Sequence, residues 1–101
     1  MSYARRVDNN HAAIANALRS LGAFVKDTSD IGGGLPDMWV SSSYWTGWLE
    51  IKNPERSASR RKPQPNQQAF IDMANKNGKH AHVVLTVEEA IRLVFDGRVA
   101  V

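Results

Sequence analysis

The stretch Gly32-Gly33-Gly34-Leu35-Pro36-Asp37-Met38-Trp39-Val40, followed after a polar turn by Trp48-Leu49-Glu50-Ile51-Lys52, decides the fold. It reads as two short strands joined by a tight loop. Pro36 falls at the first residue of the first strand, where a missing N–H is tolerated. In the second, Trp48, Glu50 and Lys52 alternate with Leu49 and Ile51, the period of two expected of a strand with one buried face. Glu50 and Lys52 then leave the same face about two residue rises, or roughly 6.6 Å, apart. In a hairpin, Asp37 near the start of one strand lies close to Glu50 or Lys52 near the end of the other. Two carboxylates and an amine then converge.

Such a group suits metal-assisted hydrolysis. Carboxylate oxygens are hard ligands, and Mg²⁺ takes one or two of them while water and substrate phosphate fill its other positions. An adjacent ammonium orients the attacking water or offsets charge on the phosphate in the transition state. Taken alone, Glu50-Ile51-Lys52 also reads as an ordinary solvated strand face. Pro36-Asp37 upstream and the glycine-rich approach to it favour the site.

Outward from this centre the elements follow from local signals. Asp8, Asn9 or Asn10 can cap a helix, and Ile14, Leu18 and Leu21 recur at helical spacing among alanines, so the pattern predicts a helix from Asn9 to Leu21 closed by Gly22. Ala23-Phe24-Val25-Lys26 is a short strand, and Asp27 to Gly34 is a turn-rich loop. Its three glycines permit positive φ and either close approach of a ligand or plain flexibility. Pro65 starts a second helix, with Phe70, Met73 and Ala74 as its apolar stripe and Asn77-Gly78 as its stop. Val83-Val84-Leu85 is a further strand. Thr86 caps a last helix, and Glu89 completes its capping box. Ile91, Leu93, Val94 and Phe95 form that helix's apolar side and Gly97 ends it. The tail Arg98-Val99-Ala100-Val101 can add an edge strand or sit in a dimer contact.

The order helix, strand, strand, strand, helix, strand, helix predicts an α/β sandwich with a mixed sheet flanked by helices. Pro36-Asp37, then Glu50-Ile51-Lys52 after a gap of twelve residues, resembles the PD-(D/E)XK nuclease motif. The wider context is similar to the virus-type replication-repair nucleases (VRR-NUC), in particular the small stand-alone ones of bacteriophages. The similarity runs through Arg5-Arg6-Val7-Asp8-Asn9-Asn10, Ala17-Leu18-Arg19-Ser20-Leu21-Gly22-Ala23, Gly34-Leu35-Pro36-Asp37, Leu49-Glu50-Ile51-Lys52, Pro65-Asn66-Gln67 and Val84-Leu85-Thr86-Val87-Glu88-Glu89-Ala90.

The resemblance implies an αβββαβ core and a Mg²⁺- or Mn²⁺-dependent endonuclease that hydrolyses phosphodiester bonds in DNA. It casts Asp37 and Glu50 as side-chain metal ligands and the Ile51 carbonyl as a further ligand. Lys52 would orient the water or stabilise the pentavalent phosphate, and Gln67 would support the metal-bound water. It also implies a homodimer acting on branched DNA such as Holliday junctions, in the cytoplasm of a bacterial host. One position departs from the family. Many relatives carry a metal-binding glutamate in the first helix, and the aligned residue here is His11, so that role is not carried over.

Composition bounds the alternatives. The 101 residues, 43% hydrophobic and 23% charged, fit one soluble domain spanning 1–101. The chain has no apolar run of about 18 residues and no signal-peptide pattern. With no cysteine, disulfides, thiolate metal sites and a Cys nucleophile are excluded. A net charge of +3 permits a polyanionic partner. Arg56, Arg60, Arg61 and Lys62 form the densest basic cluster, suited to phosphate-backbone contact. Of Trp39, Trp45 and Trp48, one or two can pack beneath the site or in a dimer contact, and core packing is favoured over base stacking. His80 and His82 share a strand face but lack a third zinc ligand. A non-cutting nucleic-acid-binding module on the same fold is the alternative of a different class, and a restriction-type nuclease is a third.

Overall fold

Ile14 and Leu18, both fully buried, head the apolar stripe of α1 (Asn9–Ser20). The helix ends one residue before the expected Leu21 because Gly22, at φ 102°, turns the chain. The Gly22 amide then donates to the Arg19 carbonyl and the Ala23 amide to that of Leu18, each at 3.0 Å, in a Schellman closure. The computed structural model describes residues 9–55 and 62–98. After α1 come β1 (Phe24–Asp27), β2 (Met38–Ser41), β3 (Thr46–Ile51), α2 (Pro65–Lys76), β4 (Ala81–Val84) and α3 (Val87–Val94).

The four strands form one sheet in the order β1-β2-β3-β4. The first two pairings are antiparallel, and β3 pairs with β4 in parallel through the α2 crossover. This is the mixed sheet with flanking helices that the element order predicts. One side of it is closed by α1 and α3. Val25, Met38, Val40, Leu49, Ile51 and Val84 meet Ile14, Leu18, Ala90, Ile91 and Val94 there, each fully buried side chain contributing about 1.5–3 kcal/mol. On the other side α2 lays Phe70, Ile71 and Ala74 over Trp48, Ala81 and Val83.

Several expectations are revised. Pro36 is not the first residue of a strand: it is buried in the preceding loop, and its carbonyl accepts from Thr28 Oγ1 at 2.7 Å. The Thr28 amide donates to the Asp37 carbonyl at 2.8 Å, so β2 begins only at Met38, where pairing with Asp27 takes over. β1 starts at Phe24 rather than Ala23, whose amide is spent on the helix cap. β3 does not bury one face only. Leu49 and Ile51 face α1 and α3, while Glu50 on the other face is also buried, at 1% exposure. In α2 the inward stripe uses Ile71, and Met73 is half exposed to one side of it. The Thr86 hydroxyl caps α3 by accepting from the Glu89 amide at 3.1 Å, but Glu89 Oε1 reaches past Thr86 to the Leu85 amide at 2.7 Å. Among the described residues no helix is long and apolar enough to cross a membrane.

The glycine run serves the fold directly. Gly34, at φ 86°, is buried against the start of α2, where a Cβ would stand 2.8 Å from the Asn66 carbonyl oxygen. The close approach is therefore by the chain's own helix rather than by a ligand. Gly33 also has positive φ, at 69°, but nothing lies within 4 Å of its Cβ position. Alanine at either position meets a left-handed backbone costing about 1–2 kcal/mol, and only Gly34→Ala adds a clash. In thermal denaturation Gly34→Ala should melt lower than Gly33→Ala by several degrees, since ~1 kcal/mol moves Tm by roughly 4–8 °C at this size. Equal melting points would mean that the loop does not press on α2.

Candidate active site

The register Met38↔Leu49, continued by one residue, sets Asp37 opposite Glu50 at the mouth of the β2–β3 pair. Asp37 has already left the strand, so its side chain rather than its backbone completes the ladder. Its Oδ2 accepts from the Ile51 amide at 2.8 Å. This fixes the carboxylate against the end of β3, which is the convergence that the spacing predicts.

Glu50 sits on the α2 side of the sheet. Its Oε2 lies 3.0 Å from Lys52 Nζ, and its Oε1 is buried with no hydrogen-bond partner. Burial above all, and then the negative charge of Asp37, lift its carboxyl from 4.5 to about 6, against the pull of Lys52. Asp37 is also raised, chiefly by burial and against the Ile51 amide, with His11 and Lys52 pulling it down and Asp27 pushing it up. Two adjacent carboxylates that both resist ionisation form a site prepared for added positive charge.

Lys52 follows the last residue of β3 and its amide donates to the Val84 carbonyl at 3.0 Å. Its ammonium bridges Glu50 Oε2 and Gln67 Oε1, the latter at 3.4 Å. Gln67 Oε1 also accepts from the Gln64 amide at 2.9 Å, closing the first turn of α2. The Gln67 amide oxygen is thus engaged by the helix start and by Lys52. The structure brings Asp37, Glu50, Ile51, Lys52 and Gln67 together. Lys62 is exposed, and Arg56, Arg60 and Arg61 lie outside the described residues.

Two contributors escape a residue-by-residue reading. Asn10 does not act as a cap. It is inside α1, and its Nδ2 donates to the carbonyls of Lys52 at 2.9 Å and Leu85 at 3.2 Å, tying the ends of β3 and β4 to the first helix. Asp27, at the end of β1, lies 3.7 Å from His11 Nε2 and bears on Asp37 through space. Its position depends on the β1–β2 register, which has no local signal. His11 itself is buried in the first turn of α1, facing this cluster. His80 and His82 stand apart. Their rings stack at 6.4 Å, and each lies about 6 Å from Trp45, on the sheet face opposite Glu50.

The residues can be tested for fit to a divalent cation. Among the described residues no three His, Asp or Glu side chains form a closed metal cage. Two carboxylates with one orphaned oxygen fit Mg²⁺ or Mn²⁺, which keep open positions for water and phosphate.

The raised carboxyl of Glu50 has a consequence for stability. A folded value near 6 against 4.5 unfolded means the folded chain holds more protons between those values, so its stability falls as pH rises through that window. The shift corresponds to about 2 kcal/mol. In EDTA, Glu50→Gln should be more stable than wild type at pH 7.5 relative to pH 4.5 by roughly that amount. Urea titrations at the two pH values measure it, and an advantage unchanged with pH would show that Glu50 is not held against its charge.

No family model matches the chain, and no curated protein matches it. A solved structure described as a VRR_NUC domain superimposes on 87% of this chain and 97% of its own length, with a TM-score of 0.64 and 20% identity. The mixed four-stranded sheet and its flanking helices have the fold of a VRR_NUC domain, the PD-(D/E)XK-like architecture.

Proposed function

We propose that this chain is a single-domain, divalent-metal-dependent endonuclease that hydrolyses phosphodiester bonds in DNA. The observation that carries the reading is Glu50: a carboxylate at 1% exposure with one unpartnered oxygen, beside a second carboxylate and a lysine. Burying it without a ligand to receive is costly. The shared fold with a VRR_NUC domain supports the same reading.

Asp37, Glu50 and the Ile51 carbonyl would hold the cation, which supplies Lewis-acid charge at the phosphate. Asp37 contributes position, since the Ile51 amide fixes one of its oxygens. Lys52, steadied by Glu50 and Gln67, presents its ammonium to the negative charge that builds on the phosphate oxygens in the transition state. Gln67 acts on Lys52 and leaves its Nε2 to donate to phosphate. Arg56, Arg60, Arg61 and Lys62 would contact the phosphate backbone of the substrate. A homodimer cutting two strands of branched DNA is the assembly and substrate we favour, because two symmetric sites suit paired incisions. His11 in place of the first-helix acid is the observation that favours the alternative, a module that binds without cutting.

Labelled four-way junction and linear duplex, incubated with Mg²⁺, Mn²⁺ or EDTA, test these readings together. Wild type should nick the junction only with metal, and Lys52→Ala and Asp37→Ala should each lower the rate by at least about 10²-fold while keeping a cooperative melt. Full activity in either variant would remove the site assignment. Tight binding in EDTA with no cleavage under any metal would select the binding module.

A further inference from the structure

Among the described residues, the α2 side of the sheet divides into a covered half and an open half. Over β3 and β4, α2 packs on Trp48, Ala81 and Val83. Over β1 and β2 the same side carries Phe24, Lys26 and Trp39, and neither aromatic belongs to either apolar cluster. Pairing fixes their arrangement. Lys26 lies opposite Trp39 and Trp39 opposite Trp48, making one row across three strands. Phe24 is 59% exposed, with its ring 6.0 Å from that of Trp39 in an edge contact. Glu50 is two residues beyond Trp48 on this face, roughly 6.6 Å along β3, and Trp39 is two residues beyond Asp37, which stands just ahead of β2. The open half therefore runs directly into the site.

A hydrophobic core has no use for these residues, since both rings were left out of it. A second copy of the chain is a poor occupant too. A stable interface buries about 800 Å² per partner, whereas two aromatic side chains offer at most about 150–250 Å² each. The patch also holds an exposed lysine, and the Ser41–Thr46 hydroxyl pair at 2.7 Å makes its far end polar. One exposed ring and one half-buried ring beside an exposed cation match what unpaired nucleotides require: π-surfaces for bases and positive charge for phosphate. Paired bases in an intact duplex present no faces to stack.

We propose that Phe24, Lys26 and Trp39 form a stacking platform for unpaired DNA bases next to the phosphate addressed by Asp37 and Glu50. The proposal rests on the nuclease reading for its location and gives that site a preference for substrates with single-stranded character. Lys26 contacts the backbone, and the two rings accept bases without regard to sequence.

The test is fluorescence anisotropy with labelled oligothymidine and with a blunt duplex, in EDTA at low salt. Phe24→Ala and Trp39→Leu should each weaken oligothymidine binding by about five-fold or more and leave blunt-duplex affinity unchanged. Lys26→Ala should weaken both and flatten the salt dependence by about one unit of slope. Phe24 is largely exposed, so its truncation is the variant that keeps the fold, and a melting curve for each protein confirms this. Unchanged oligothymidine affinity in both ring variants would overturn the platform. So would a wild-type dimer that Phe24→Ala dissociates without loss of oligothymidine affinity, which would give the face to a second copy. Because binding is read without metal, a failed cleavage assay counts against the nuclease reading and a failed oligothymidine series against the platform.

Discussion

Taking a carboxylate out of water costs several kcal/mol unless something replaces its hydration, and Glu50 is buried on a strand in the middle of the sheet. Lys52 satisfies one oxygen and nothing among the described residues satisfies the other. The surrounding construction makes sense as a way of holding that arrangement. Fully buried Leu49 and Met38 anchor the neighbouring backbone on the far face. The α2 helix, docked by Ile71 and Ala74, excludes water from the near face. Asp37, fixed by the Ile51 amide, adds a second negative charge that raises the cost further. The fold thus stores unfavourable electrostatics at one point, the trade expected where a site must receive a cation or a proton.

Holding the point in place takes contacts from distant parts of the chain. Asn10 reaches from α1 to the carbonyls that follow β3 and β4. Gln67 reaches from α2 to Lys52, and the Gly34 turn presses on the same helix start. Each is a polar or backbone contact, directional where apolar packing is not. The apolar face sets which elements touch, and these few directional contacts set where Asp37, Glu50 and Lys52 stand.

The order of elements was legible because it rests on local signals: helical spacing at Ile14 and Leu18, Pro65 at a helix start, Thr86 at a cap. The meeting of Asp37 with Glu50 was legible for a related reason, since a short hairpin leaves few registers. What failed to show locally is what the register and the helices do afterwards. Alternation in Trp48 to Lys52 marks two faces but cannot say that a helix arriving many residues later will cover the charged one. Pro36 sits outside its strand because Thr28 captures both its carbonyl and that of Asp37, a tertiary contact. Asn10 and Asp27 carry types that also serve as caps and turn residues, and only the three-dimensional pairing distinguishes their use here.

The location of the site follows from topology. β3 is the strand at which the sheet changes sense: its β2 neighbour is antiparallel and its β4 neighbour parallel. At the carboxyl end of β3, one neighbour is therefore just beginning and the other just ending. Asp37 enters from the first and the α1 clamp on Leu85 follows the second. The crossover that a parallel pairing requires leaves from there, bringing the start of α2 and Gln67 with it, and re-enters the sheet at the opposite end, where Ala81 pairs with Trp48. A hairpin alone would supply the carboxylates with nothing above them, and a parallel pair alone would lack Asp37. Only the strand that belongs to both can gather two acids, an amine and a helix start at one end.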